Sequence, residues 1–204
     1  MSIAKIAAPR RRRRTPDEAR REAVASARRL LLAGGPDAMT LSAVAADIGV
    51  THANLIHHFG SAAGLQSALM GSMVADLNQA LTTAVARLRT DEGAPLELVN
   101  AVFDAFLEGG AGRLAAWIAM SGDLSHLEPV REAVQDLVHA IGEKMGESGH
   151  ARERIGSAVL FIALTAFGES LIGDPLRNML DQPENATRSV VASLLPYFVG
   201  KAEV

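Results

Sequence analysis

Apolar residues recur at spacings of three and four along almost the whole of this 204-residue chain, and no stretch alternates long enough to read as a strand. Residues 1–14 have no apolar period. The pattern starts at Thr15-Pro16-Asp17-Glu18, with a capping threonine, a proline at the first helical position and a glutamate that closes a capping box. Ala23, Ala27, Leu30 and Leu31 share one face of a helix predicted to reach about Ala33, where Gly34-Gly35-Pro36 stops it. Thr40 and Thr51 each cap a short helix, the second predicted over His52–His58. Ser61 opens a long one with Leu65, Leu69, Met73, Leu77, Leu81, Val85 and Leu88 on one side. Beyond Asp91-Glu92-Gly93 the same reading predicts helices near Pro95–Leu107, Arg113–Met120, Pro129–Met145, Arg152–Ile172 and Asn185–Val199. Gly109-Gly110 and Gly112 divide the first pair, and Ser148-Gly149 and Asp174-Pro175 mark later ends. The expected fold class is all-α.

Within this pattern, Thr40 to Leu69 carries the most information. Ala45, Gly49 and Leu55 stand at positions 5, 9 and 15 of a window opening at Leu41. A helix-turn-helix needs those residue types at that spacing. The first must be small because the two helices nearly touch there. The second lies in a sharp turn where glycine tolerates a positive φ. The third anchors the second helix on the first, and Val44, Ile48 and Val50 complete the small core. Leu55 and Ile56 are expected to face that core. Thr51, His52, Ala53, Asn54, His57 and His58 are then left near DNA, together with Thr40 and Ser42 on the preceding helix. Asn54 is the best base reader, because its amide can bond adenine bidentately; His52 suits a guanine acceptor and Ala53 a thymine methyl.

These residues resemble the DNA-binding region of the tetracycline-repressor (TetR) family of bacterial transcriptional regulators. The matching positions are Thr40, Ile48-Gly49-Val50, Thr51 to His58, Phe59 and Leu65, and the preceding helix and total length also agree. The resemblance implies three N-terminal helices, with the helix-turn-helix within residues 15–60, followed by a helical ligand-binding and dimerisation domain over residues 61–204. It further implies a homodimer that binds a palindromic double-stranded DNA operator and is released by a small-molecule effector, most simply a repressor. The chain departs from the family at two places. Ile56 and Ala63 stand where members commonly carry a tyrosine and a lysine that touch DNA phosphates. His57 and His58 are candidates to take over part of that role, since imidazole donates to phosphate oxygens.

Charge divides the chain in the same way. Residues 1–60 hold ten Lys/Arg against five Asp/Glu, a balance of +5, whereas residues 61–204 hold ten against eighteen, a balance of −8. A basic head on an acidic body directs DNA to one end. Arg10, Arg11, Arg12, Arg13 and Arg14 lie just before the first helix of the head. They are placed like arms that enter the minor groove or lie on phosphates, so residues 1–14 are expected to be a disordered basic tail that touches DNA. The opening MSIAKIAAPRRRRR has no apolar core of a secretory signal, and the expected compartment is cytoplasmic. The apolar stretch Ile155 to Gly173 is interrupted by Glu169 and followed by no basic cluster, so no membrane span is expected.

Several chemistries are excluded or unsupported. The chain has no cysteine, hence no disulfide and no thiolate metal site. There is no phosphate-cradling glycine loop and no His-Glu metal motif. His52 and His57 are five apart, off the spacing that aligns two ligands on one helical face. No enzyme activity, metal or cofactor is therefore expected. In the body, Phe103, Phe106, Trp117, Met120 and Phe161 are bulky candidates for an effector pocket, with Asn100, Asp104, His139 and Thr165 as polar candidates. Helix 155–172 is apolar nearly all round, and the last helix has a broad apolar face. The economical way to bury both is a four-helix interface between two copies through Val159, Ile162, Ala163, Ala166, Phe167, Val191, Leu194, Leu195 and Phe198. The alternative is a ligand-independent DNA-binding protein whose body serves only dimerisation; the presence of a cavity lined by the bulky body residues separates the two readings.

Overall fold

Hydroxyl side chains start each of the first four helices where the sequence places them. In the computed structural model, which describes residues 15–87, 93–122, 128–145 and 149–199, Thr15 Oγ1 accepts from Glu18 N (3.2 Å) while Thr15 N donates to Glu18 Oε2 (2.9 Å). This capping box opens α1 (Pro16–Gly34). After one 3₁₀ turn, Pro36–Ala38, Thr40 caps α2 (Leu41–Ile48) by accepting from Ala43 N at 3.1 Å. Thr51 caps α3 (His52–Phe59) by accepting from Asn54 N at 3.2 Å. Ser61 accepts from Gly64 N at 3.0 Å ahead of α4 (Ala62–Arg87). Gly49 closes α2 at φ 67°, ψ 43°, the left-handed conformation that the turn between the two helices requires.

The body follows as α5 (Ala94–Leu107), α6 (Ala111–Ser121), α7 (Glu128–Met145), α8 (Gly149–Met179) and α9 (Ala186–Val199). No strand occurs among the described residues. These bounds agree with the periodicity to within a few residues, except for α8. That helix runs through the predicted end at Asp174-Pro175, with Pro175 inside it. The residue four back, Leu171, is partly exposed, so the carbonyl deprived of its N–H lies on the open side of the helix. Arg177 pairs with both Glu169 and Asp174, tying the last turns to the rest. Residues Arg152–Met179 are long and apolar enough to cross a membrane by length and composition, and only 22% of their most apolar window is buried.

Two apolar cores result. The first joins Ala23, Ala27 and Leu31 of α1, Val44, Ala45 and Ile48 of α2, Leu55 and Phe59 of α3 and Leu65, Leu69 and Met73 of α4. It also takes in Leu114 and Ile118 of α6, although α6 belongs to the body by sequence. The second packs the later turns of α4 (Leu81, Val85) against α5, α7, α8 and α9. Gly112, which the sequence reads as a break, instead lies in the first turn of α6. A Cβ there would come 2.6 Å from the Ser170 Cβ of α8 and 3.0 Å from the Phe106 carbonyl oxygen of α5. Only glycine lets α6 sit that close to the body while its other face enters the head.

Candidate nucleic-acid interface

On the two-turn helix α3, Leu55 and Phe59 are four apart and both buried, which fixes the face turned inward. Ala53 and His57 lie on the opposite side, and His52, Ala53, Asn54 and His57 are all exposed, with His58 half-buried. Thr51, Thr40 ahead of α2 and Ser42 on α2 are exposed as well. Ile56 corrects the sequence reading. It is 38% exposed rather than core, because it lies about 100° around the helix from Leu55 and the first core is already closed by Phe59. Thr40 and Thr51 hydroxyl oxygens accept the cap bonds and keep their own O–H free to turn outward. Arg10 to Arg14 lie outside the described residues.

One contact at this end was not legible from periodicity. Arg20 of α1 donates from Nη1 to the His58 carbonyl at 2.8 Å and places its guanidinium carbon 4.7 Å from the Phe59 ring centroid. It thus caps the His58 carbonyl at the end of α3 with a cation and stacks on the buried Phe59. A second clamp holds α2 to α1. Asp47 Oδ2 accepts from the fully buried Ser26 hydroxyl and from Arg29 Nη2, both at 2.6 Å. The Ser26 hydrogen bond and then Arg29 hold the Asp47 carboxyl below its ordinary range. Arg28 pairs with Asp76 of α4 at 2.5 Å. Arg20, Arg21, Arg28 and Arg29 line one wall of a surface groove of about 560 Å³ between α1 and α4. A salt bridge between two exposed helices leaves no trace in hydrophobic spacing, which is why these arginines read only as charge.

The nine predicted pocket residues do not form one wall. Phe103 is fully buried in the second core, while Trp117 packs against the first. Phe106 meets Phe167 edge-on at 6.4 Å, and Phe161 stacks on Phe198 at 5.4 Å. Met120 is 80% exposed at the end of α6, and His139 is exposed beside Glu143 on α7. Phe103, Phe106, Trp117 and Phe161 thus fill separate helix contacts, while Met120 and His139 face outward. Asn100 and Asp104 do converge. Arg188 Nη1 donates to Asp104 at 2.5 Å and to Asn100 at 3.4 Å, with its guanidinium carbon 5.4 Å from the Phe103 centroid. Thr165 donates to the Phe161 carbonyl at 2.7 Å and lines a groove between α8 and α9. Among the described residues, no three His, Asp or Glu side chains group as a metal site.

The predicted interface set needs a similar correction. Ile162, Ala166, Val191 and Leu195 are buried inside the chain's own second core and have nothing left to offer a second copy. Val159, Ala163, Phe167 and Phe198 are half-buried, and Leu194 is exposed. The apolar residues that face outward are instead Leu160, Leu164, Leu171 and Ile172 on α8, continuing to Leu176, Met179 and Leu180, with Val190 and Tyr197 on α9. A helix apolar all round has no period to tell its inner face from its outer one.

Residues 23–69 match the sequence profile of bacterial regulatory proteins of the tetR family. That segment spans most of the first core and the whole helix-turn-helix. No curated protein matches the chain. The fold is similar to that of a tetR-family transcriptional regulator from Streptomyces coelicolor, with a TM-score of 0.63 at 16% identity over 89% of this chain and 79% of that one. A protein of unknown function from Rhodococcus sp. RHA1 superposes with a TM-score of 0.63 at 21% identity, over 94% of this chain and 97% of that one. A TetR variant from Acinetobacter baumannii AYE, in complex with minocycline, superposes at 0.57 with 17% identity over 87% and 92% of the two chains. Residues 23–69 thus match the profile of the tetR family, and over 89% of its length the chain has a fold similar to that of a TetR-family transcriptional regulator.

Proposed function

We propose that the protein is a homodimeric, ligand-responsive DNA-binding regulator that represses transcription until a small molecule releases it. The observation that carries the responsive part is the placement of α6. Leu114 and Ile118 sit in the core of the head, while Gly112, two residues before Leu114, abuts Ser170 of α8. A ligand that moved α8 or α5 by a fraction of an ångström would act on the head through α6 as well as along α4. Two recognition helices must enter successive major grooves about 34–36 Å apart, so a small tilt of either connection misplaces one of them. DNA binding itself rests on the exposed Thr40, Ser42, Thr51, His52, Ala53, Asn54 and His57 and the half-buried His58, with Arg10 to Arg14 supplying phosphate attraction from residues 1–14. The minocycline complex of a protein with this fold supports a small-molecule effector.

The test is to select duplexes from a random pool with the full chain, then measure affinity for the enriched sequence as salt is varied. A palindromic consensus bound by two copies is expected. The slope of log affinity against log salt should become shallower by several units per dimer when residues 1–14 are removed, at roughly 0.9 per phosphate contact. Absence of any enriched sequence would remove the DNA-reading role.

A further inference from the structure

The helix-turn-helix carries no fixed positive charge. Between Arg29 and Arg87 the chain has no lysine and no arginine, while Asp37, Asp47 and Asp76 all stand within that stretch. The arginines of α1 do little to offset this. Arg28 is paired with Asp76 and Arg29 with Asp47, and Arg20 is tied to the His58 carbonyl and the Phe59 ring. From residue 30 to residue 86, the only side chains able to become positive are therefore His52, His57 and His58. They are three of the six histidines in the chain, and all three lie on α3. An unperturbed imidazole changes its charge between pH 5 and 8. Its charged form donates from both nitrogens and binds phosphate more strongly than the neutral form.

His52 and His57 are both exposed. Five residues apart, they stand about 140° apart around α3 and about 7.5 Å apart along its axis. That separation is too wide for one phosphate group and suits two. Ala53 lies between them on the helix surface and has no bulk to hold a DNA backbone away. His58 is half-buried, its ring edge-on to His57 at 5.6 Å and to Phe59 at 6.4 Å, so it serves packing first. The elements packed on α3 bring little charge to compete for the two exposed rings. On α1, Arg20 is engaged as above, Glu18 closes the capping box and Arg21 lines the α1–α4 groove, with Asp17 and Glu22 the remaining charges of its first turns. On α2 the one charged residue is Asp47, whose carboxylate is held by Ser26 and Arg29. The turns of α4 from Ala62 to Ala75 have no charged side chain.

Resting on the DNA-binding role proposed above, we infer that His52 and His57 hold operator phosphates as imidazolium ions, so that DNA binding takes up protons from solvent and tightens as pH falls. Arg10 to Arg14 add attraction that does not titrate in this range, so the linkage lies in α3 rather than in the tail. The test uses the full chain and duplexes selected from a random pool at pH 6 and at pH 8. Affinity is then measured at both pH values, each with its own salt titration. Wild type should bind on the order of tenfold more tightly at pH 6 than at pH 8. Its slope of log affinity against log salt should steepen by about two to four units per dimer, at roughly 0.9 per phosphate contact. The double variant His52→Gln with His57→Gln keeps a donor at each position but cannot titrate. It should match wild type at pH 8 and lose the gain at pH 6, with helix content unchanged by circular dichroism. His57→Lys, whose charge is fixed, should tighten binding at pH 8 and flatten the pH dependence. An affinity of wild type that does not change with pH overturns the proton linkage and leaves DNA reading intact. A gain at pH 6 that survives in the double variant overturns the assignment to His52 and His57. Failure to enrich a duplex at either pH removes the DNA-binding role and this inference with it.

Discussion

Replacing Gly112 with alanine puts one methyl group at the junction between head and body. Its Cβ would stand 2.6 Å from the Ser170 Cβ and 3.0 Å from the Phe106 carbonyl oxygen. Carbon atoms pack at about 3.5–4.0 Å, so α6 and α8 must part by about 1 Å. Rotation of the serine hydroxyl does not relieve this, because the clash reaches Cβ and backbone. Overpacking of this kind costs about 1–3 kcal/mol, while alanine returns roughly 0.8–1.0 kcal/mol of helix propensity. A net destabilisation of about 1 kcal/mol is expected. Gly156→Ala in α8, where the new Cβ meets nothing within 4 Å, isolates the propensity effect and should stabilise by nearly 1 kcal/mol. Urea denaturation at one fixed protein concentration measures both. Adding Ser170→Gly to Gly112→Ala should show favourable coupling in a double-mutant cycle. Because Leu114 and Ile118 follow two and six residues later in the head core, affinity of Gly112→Ala for the selected duplex should also fall several-fold. Stabilisation equal to that of Gly156→Ala, with unchanged DNA affinity, would refute the idea that α6 is wedged between body and head.

Three further outcomes concern the head. Arg20→Met keeps the aliphatic stem but loses the bond to the His58 carbonyl and the stacking on Phe59, so affinity for the selected duplex should drop about five-fold, roughly 1 kcal/mol. Its salt slope should stay the same; a slope shallower by about one unit per subunit would mean that Arg20 touches phosphate directly. Asp47 has a folded pKa below its ordinary value of 3.8, so its contribution is fully present above that value and is lost as pH falls through the lower folded value. The urea midpoints of wild type and Asp47→Asn should therefore differ at pH 6 and converge towards pH 3; a constant gap would place the effect elsewhere. Asn54→Ala should relax base preference at one position of each half-site by on the order of 1–3 kcal/mol, and an unchanged profile over randomised DNA would remove Asn54 from the readers.

The head was legible because short helices must declare themselves locally. Thr15, Thr40, Thr51 and Ser61 each satisfy an N–H that would otherwise stay open, and Gly49 adopts the one backbone conformation that closes the turn. Such residues are visible without knowing what packs on them. Ile56 was misread because α3 has only two turns, too few for periodicity to decide which of two adjacent apolar residues faces in. In the body the signal weakens for a different reason. Ile162 and Leu164 are equally apolar and two apart, yet one is buried and the other open; that difference is set by α5 and α9, not by α8. Likewise Pro175 reads as a terminator, since nothing local announces that Arg177 will be held by Glu169 and Asp174. The polar cluster of Asn100, Asp104 and Arg188 joins residues more than eighty positions apart, a distance at which sequence spacing carries no information.

The presence of α6 in the first core bears on how such a head can be inherited or transplanted. A fragment ending at Arg87 contains every residue of the helix-turn-helix and all of α4, but it leaves bare the apolar surface that Leu114 and Ile118 cover in the intact chain. The DNA reader is therefore not a detachable cassette. Joining it to a foreign body would require that body to bring its own α6 with two large apolar side chains at the right height, and a small residue two positions before the first of them. Recombination that respects only the boundary near residue 60 would yield chimaeras whose heads are open on one side. Drift in the body is then restrained at α6 by the needs of the head, even where no DNA is near.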